Sequence, residues 1–227
     1  MKNFADKKLL VFGDSIIYGS GNNGIGVGEY LKDKFSFSLS KYCIGGARVG
    51  FCEGKNWVVE QVQNAIENNE TADLIVFNGF TNDCCISEDS GLCDVRLGEF
   101  IQGKQSVDIF AVTKQMDFSQ CFESICAAFI KYFQNSKVVF VRPHKMGRRG
   151  DKVQKEYGER AKVICEKYGF SIADIYEDSG LDTFDEVQRD KYTADTYGWG
   201  KGDCTHPNAL GYKEKYMPLI EKAVLNV

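Results

Sequence analysis

Two histidines, His144 and His206, are all that this 227-residue chain offers to a reaction that needs an imidazole. His206 stands in Gly202-Asp203-Cys204-Thr205-His206-Pro207-Asn208, with Asp203 three residues before it. In a tight turn that spacing lets a carboxylate reach the imidazole Nδ1, fix its tautomer and stabilise an imidazolium. Near the other end of the chain, Gly13-Asp14-Ser15 follows the apolar run Lys7 to Phe12. A serine in a turn between strand and helix can project its hydroxyl and offer its own N–H to a reacting oxygen. Two further stretches set donors of the same kind. Gly45-Gly46-Ala47 lets a backbone N–H approach a ligand, and Asn78-Gly79-Phe80-Thr81-Asn82-Asp83 presents a carboxamide. Each stretch alone also reads as a plain turn or a cap. The four together are harder to explain that way.

The elements that would position these residues follow from apolar periodicity. Strands are expected at Lys7 to Phe12, ending near Tyr42 to Ile44, at Asp73 to Phe77, at Lys137 to Val141 and at Phe170 to Ile175. Helices are expected over Asn56 to Asn68, Phe118 to Phe133, about Val153 to Tyr168, and about Pro207 to Val224. Continuous apolar strands alternating with helices predict a mostly parallel sheet of about five strands in a three-layer αβα sandwich. In such sheets ligands bind outside the carboxyl ends of the strands, where the stretches at Gly13, Gly45 and Asn78 fall; whether Asp203 and His206 face Ser15 there is left to the structure. Residues 84–116 lack a clear period and read as an active-site insertion into a single domain spanning 1–227.

In their order along almost the whole chain, these residues resemble the blocks of the SGNH (GDSL) hydrolase superfamily. The match consists of Gly13-Asp14-Ser15-Ile16, the Gly-Gly-Ala turn, Thr81-Asn82-Asp83, and Asp203-x-x-His206-Pro207-Asn208 followed by Gly211-Tyr212. The resemblance implies a flavodoxin-like sandwich and ester hydrolysis, with esterases, lipases, thioesterases and carbohydrate O-deacetylases among its members. It implies Ser15 as nucleophile, His206 as general base and Asp203 as the carboxylate that orients it. The oxyanion hole would combine the Ser15 N–H, the Gly46 N–H and the Asn82 side chain, with Gly45 an alternative to Gly46. No metal or organic cofactor is required. One departure is Phe80, where the family block usually has glycine two residues before the asparagine.

Asp14, Phe80, His144, Tyr197 and Trp199 are the expected substrate contacts. Phe80 would either mark a reshaped turn or line an acyl pocket. His144, beside Lys145, Arg148 and Arg149, reads equally as a substrate ligand or a surface loop residue. Tyr197 and Trp199 lie in a Gly-rich stretch before Asp203, where rings could stack on a sugar. The reading that results is a serine esterase removing a short acyl group, acetyl by preference, from a carbohydrate or small alcohol. Its alternatives are a lysophospholipase or acyl-thioesterase, a non-catalytic carbohydrate-binding module, and a nucleotide-binding protein. Gly19-Ser20-Gly21-Asn22-Asn23-Gly24 spells the dinucleotide fingerprint but begins seven residues after Phe12, and reads instead as a rim of the ester site.

Composition narrows the rest. A net charge of −4, from 28 basic against 32 acidic residues, gives no footprint for nucleic acid or an anionic membrane. No apolar run reaches the length of a membrane span, and no signal-peptide core is present, so the chain as given reads as cytoplasmic, or secreted if a signal was removed. Nine cysteines exclude a complete disulfide framework, and those in apolar stretches read as small buried hydrophobes with no metal assigned. The sequence leaves the oligomeric state open.

Overall fold

Leu9 to Phe12, Leu74 to Phe77 and Val138 to Arg142 are buried without interruption, as strands covered on both faces must be. The computed structural model describes residues 4–84, 95–105 and 107–227. Its strands are β1 (Lys8–Phe12), β2 (Ser38–Lys41), β3 (Leu74–Phe77), β4 (Lys137–Arg142) and β5 (Ser171–Asp174). They lie in the order β2-β1-β3-β4-β5, and every neighbouring pair is parallel. This is the flavodoxin-like order, with its switch point between β1 and β3.

Alternation along the strands divides the core in two. Leu10, Phe12, Ile75, Phe77 and Phe140 pack against α3 (Val58–Glu67), α4 (Phe118–Tyr132) and α5 (Asp151–Tyr168). Phe77 is central there, its ring 5.1 to 5.8 Å from those of Phe122, Phe129 and Phe140. Leu9, Val11, Val76, Val139 and Val141 turn to the other face, against α1 (Ser15–Tyr18), α2 (Val27–Phe35) and the C-terminal helices.

The structure departs from expectation at one edge strand and at the C-terminal helix. β2 is a half-exposed edge strand, Ser-Leu-Ser-Lys, and lies just before the expected Tyr42 to Ile44. The Tyr42 and Ile44 N–H groups nevertheless continue to bond carbonyls of Val11 and Gly13. The expected last helix is broken into α8 (Ala209–Gly211), a π turn (Tyr212–Tyr216) and α9 (Met217–Asn226). Pro218 supplies a reason, because it cannot donate to the carbonyl four residues back and its ring crowds that carbonyl. Two short helices, α6 (Ile175–Asp178) and α7 (Glu186–Tyr192), precede this segment.

Of the expected insertion, residues 85–94 and 106 lie outside the described residues. In the rest, Phe118 and Ser119 N–H groups bond Arg96 and Leu97 carbonyls, while Val95 and Leu97 pack on the α3–α5 side of the core. Among the described residues, no helix is long and apolar enough to cross a membrane.

Candidate active site

Ser15 is placed by the turn that ends β1. Gly13 adopts φ +130°, and a Cβ there would lie 2.0 Å from Asn78 Oδ1, so only glycine lets β1 turn beside the loop after β3. Gln61 of α3 clamps that glycine from both sides, accepting from its N–H at 2.8 Å and donating to its carbonyl at 2.9 Å. Asp14 is fully buried and caps α1 by accepting from the Ile16 N–H at 2.8 Å. It exchanges two further bonds with Asn78, whose Oδ1 accepts from the Asp14 N–H and whose Nδ2 donates to Asp14 Oδ1. The expectation that Asp14 touches substrate is therefore corrected, because its carboxylate has no surface and works as a cap.

His206 arrives from the far end of the chain. Its Nε2 lies 2.9 Å from Ser15 Oγ and its Nδ1 lies 2.6 Å from Asp203 Oδ2. Asp203 is buried and richly bonded: Oδ1 accepts from the Thr205 and His206 N–H groups, and Oδ2 also accepts from the Thr196 hydroxyl. Burial pushes its pKa up, but the bonds from His206 and Thr196 outweigh that and hold it below the ordinary carboxylate range. The ionised Asp203 accepts from Nδ1–H, which leaves Nε2 free of hydrogen and able to take the Ser15 proton. Glycine again permits the approach: a Cβ on Gly21 would lie 2.5 Å from Pro207 O and 2.8 Å from His206 O. The Gly19 to Gly24 stretch thus supports the histidine turn.

His144 is neither a substrate ligand nor a surface residue. It is wholly buried, with Nε2 3.2 Å from Cys204 O and Nδ1 2.6 Å from the Tyr216 hydroxyl, which also accepts from the His144 N–H. A carbonyl can only accept, so Nε2 bears the hydrogen and the tyrosine donates to Nδ1. Burial lowers the pKa to about 4 and keeps the ring neutral. Its contact matters because Cys204, between Asp203 and Thr205, is held at φ +67°, a conformation costing about 1 to 2 kcal/mol outside glycine. His144 and Thr183 Oγ1, the latter at 2.8 Å, both reach that residue's carbonyl and offset the strain.

Phe80 is likewise buried, packed in the α3–α5 core rather than lining an acyl pocket. Its φ of +151° turns the chain so that Asn82 Nδ2 donates to Ala47 O at 2.9 Å, which joins the β3 loop to the Gly45-Gly46-Ala47 turn. Asp83 strengthens that join by accepting from the Val49 and Gly50 N–H groups, and burial raises its pKa to about 6. A Cβ on Gly45 would lie 4.0 Å from Ser15 Cβ, whereas one on Gly46 would meet nothing within 4 Å. Among the described residues, neither the Ser15 N–H nor the Gly46 N–H has an internal acceptor. Tyr197 and Trp199 are half-exposed and stacked, and the Tyr197 ring centroid is 6.5 Å from that of His206.

Cys43, Cys121, Cys126 and Cys165 are free thiols and buried, Cys84 is buried as well, and Cys52 is disulfide-bonded. Among the described residues, no group of three or more His, Cys, Asp or Glu could hold a metal ion.

The model of the GDSL-like Lipase/Acylhydrolase family matches residues 11–214. The chain belongs to that family. Among solved structures, this GDSL-like protein is similar to one from Lactobacillus plantarum, at 18% identity and TM-score 0.70 over 98% of this chain and 96% of that one. A lipase/acylhydrolase from Enterococcus faecalis aligns at 14% identity and TM-score 0.59, covering 97% and 96%. An acetyl xylan esterase from Geobacillus stearothermophilus aligns at 17% identity and TM-score 0.55, covering 100% and 96%. At such identities the likeness is one of fold. No curated protein matches the chain in sequence. Gln61, Asn78 and Tyr216 support the GDSL-like site without belonging to its motifs, and the residue types alone give no sign of that.

Proposed function

We propose that the protein is a serine ester hydrolase that works through an acyl-enzyme and removes a short acyl group, acetyl by preference, from a carbohydrate or other small alcohol. The supporting observation is the continuous chain Ser15 Oγ, His206 and Asp203, with links of 2.9 and 2.6 Å. In this reading His206 Nε2 takes the hydroxyl proton as Ser15 Oγ attacks the ester carbonyl, and Asp203 stabilises the imidazolium. The Ser15 N–H, the Gly46 N–H and the Asn82 amide hydrogen not bonded to Ala47 receive the oxyanion, with Gly45 an alternative to Gly46. His206 returns the proton to the leaving alkoxide, and the ester C–O bond breaks. Water, deprotonated by the same imidazole, then releases the acid and regenerates Ser15.

Half-exposed aromatic rings beside His206 support a sugar-like alcohol. The test is hydrolysis of p-nitrophenyl acetate, butyrate and octanoate by the native protein, Ser15→Ala and His206→Ala. Acetate turnover should exceed octanoate turnover and fall at least about 10³-fold in both variants. Octanoate preference would transfer the assignment to lipid esters. Equal rates in all three proteins would remove it from this site.

A further inference from the structure

The imidazole that protonates a leaving alkoxide must stand next to the alcohol half of the ester, so the surface around His206 contacts that half. Tyr197 and Trp199 form this surface, stacked with centroids 4.7 Å apart at 22°. Asp195 holds their loop, accepting from the Trp199 and Gly200 N–H groups at 2.7 Å each. Over both rings lies the guanidinium of Arg148, 4.8 Å from the Tyr197 centroid and 4.7 Å from that of Trp199. Arg142 and Arg189 are each ion-paired with carboxylates, but Arg148, in an exposed turn after β4, has no such partner among the described residues. Its contacts are with the two rings, which orient the guanidinium and leave its N–H donors without an acceptor among the described residues. The neighbouring Asp195 carboxylate is already occupied by backbone donors.

We propose that Arg148, Tyr197 and Trp199 are a subsite for an alcohol that carries a ring and a negatively charged group, carboxylate or phosphate. The rings would take the apolar face of a sugar, and the guanidinium would take the anion through paired N–H bonds. This deepens the esterase reading and rests on it.

The test compares kcat/KM for a mono-acetylated methyl glucoside, the corresponding glucuronoside and the corresponding 6-phosphate, within the native protein and within Arg148→Met. The native protein should favour at least one anionic ester by about ten-fold, mainly through KM, and lose part of that preference in about 0.5 M salt. In Arg148→Met the ratio should fall to within about two-fold of unity, a comparison internal to each protein and therefore insensitive to partial misfolding. Which anion gains more separates uronate from phosphate. A native ratio near one, or one that survives Arg148→Met, overturns the proposal. Calorimetric binding of the unacetylated glucuronoside and 6-phosphate to Ser15→Ala separates the two readings. Binding abolished by adding Arg148→Met supports the subsite even if no ester is cleaved. Absent binding, with Ser15-dependent hydrolysis of p-nitrophenyl acetate intact, removes the subsite alone.

Discussion

His144 differs from His206 in everything but residue type. His144 follows β4 and bonds a backbone carbonyl, whereas His206 precedes α8 and bonds a serine hydroxyl. A positioning role for His144 makes a particular prediction. His144→Leu removes one donor from the strained Cys204 carbonyl, so the turn holding Asp203 and His206 should loosen. We expect kcat to fall about ten-fold with KM within about two-fold, because the loss is in alignment with the transition state. His144→Gln, whose amide can donate to the same carbonyl, should recover most of that rate. Equal kcat in His144→Leu and the native protein would show that Thr183 alone suffices. The contrast also marks what residue types can reveal. The grouping of Ser15, Asp203 and His206 was legible because the proposed ester chemistry calls for those functional groups together. The burial of Asp14, Phe80 and His144 was not, since it depends on partners distant in sequence, such as Tyr216, 72 residues beyond His144.

At the scale of elements, the strands β1, β3 and β4 and the long helices were legible from apolar runs and periodicity, whereas α2 was not. Gly24, Gly26 and Gly28 disguise its start as a loop, although Glu29 caps it by accepting from the Gly26 N–H. The less visible connection between elements is Gln61, through which α3 holds the turn from β1 to α1. Its side chain satisfies both backbone groups of Gly13. Gln61→Leu keeps the apolar contacts of α3 but leaves the buried Gly13 N–H without a partner, while the Gly13 carbonyl keeps its bond from the Ile44 N–H. An unsatisfied buried group costs about 1 to 3 kcal/mol, so the variant should lose roughly 1 to 3 kcal/mol in urea unfolding. It should also lose activity, because Ser15 is two residues further on. A loss below about 0.5 kcal/mol would mean that water replaces the amide at this turn.

Taken as a whole, the molecule places its site at the switch point between β1 and β3, and two buried titratable groups sit beside the loops that meet there. Their effects on stability have opposite signs. The pKa of His144 is about 4 when folded against 6.5 ordinarily, so between those values the unfolded chain binds the extra proton and acid destabilises the fold. Asp83 is raised from 3.8 to about 6, chiefly by burial and despite bonds from Val49 and Gly50 and the nearby Arg48. Between those values the folded chain binds the extra proton, and acid stabilises the fold. Each contribution has a slope of about 1.4 kcal/mol per pH unit, and the two nearly cancel from about pH 4 to about pH 6. Below that window Asp203, held low by His206, and Asp73, held low by Lys7, add losses of their own as they protonate. Native stability, measured by urea unfolding, should therefore be nearly flat from pH 6 to pH 4 and then fall. Asp83→Asn removes the compensating proton uptake and leaves that of His144. Its stability should decline by roughly 2 to 3 kcal/mol over the same interval. A variant whose profile ran parallel to the native one would show that Asp83 is already ionised throughout, with the Val49 and Gly50 N–H groups outweighing its burial.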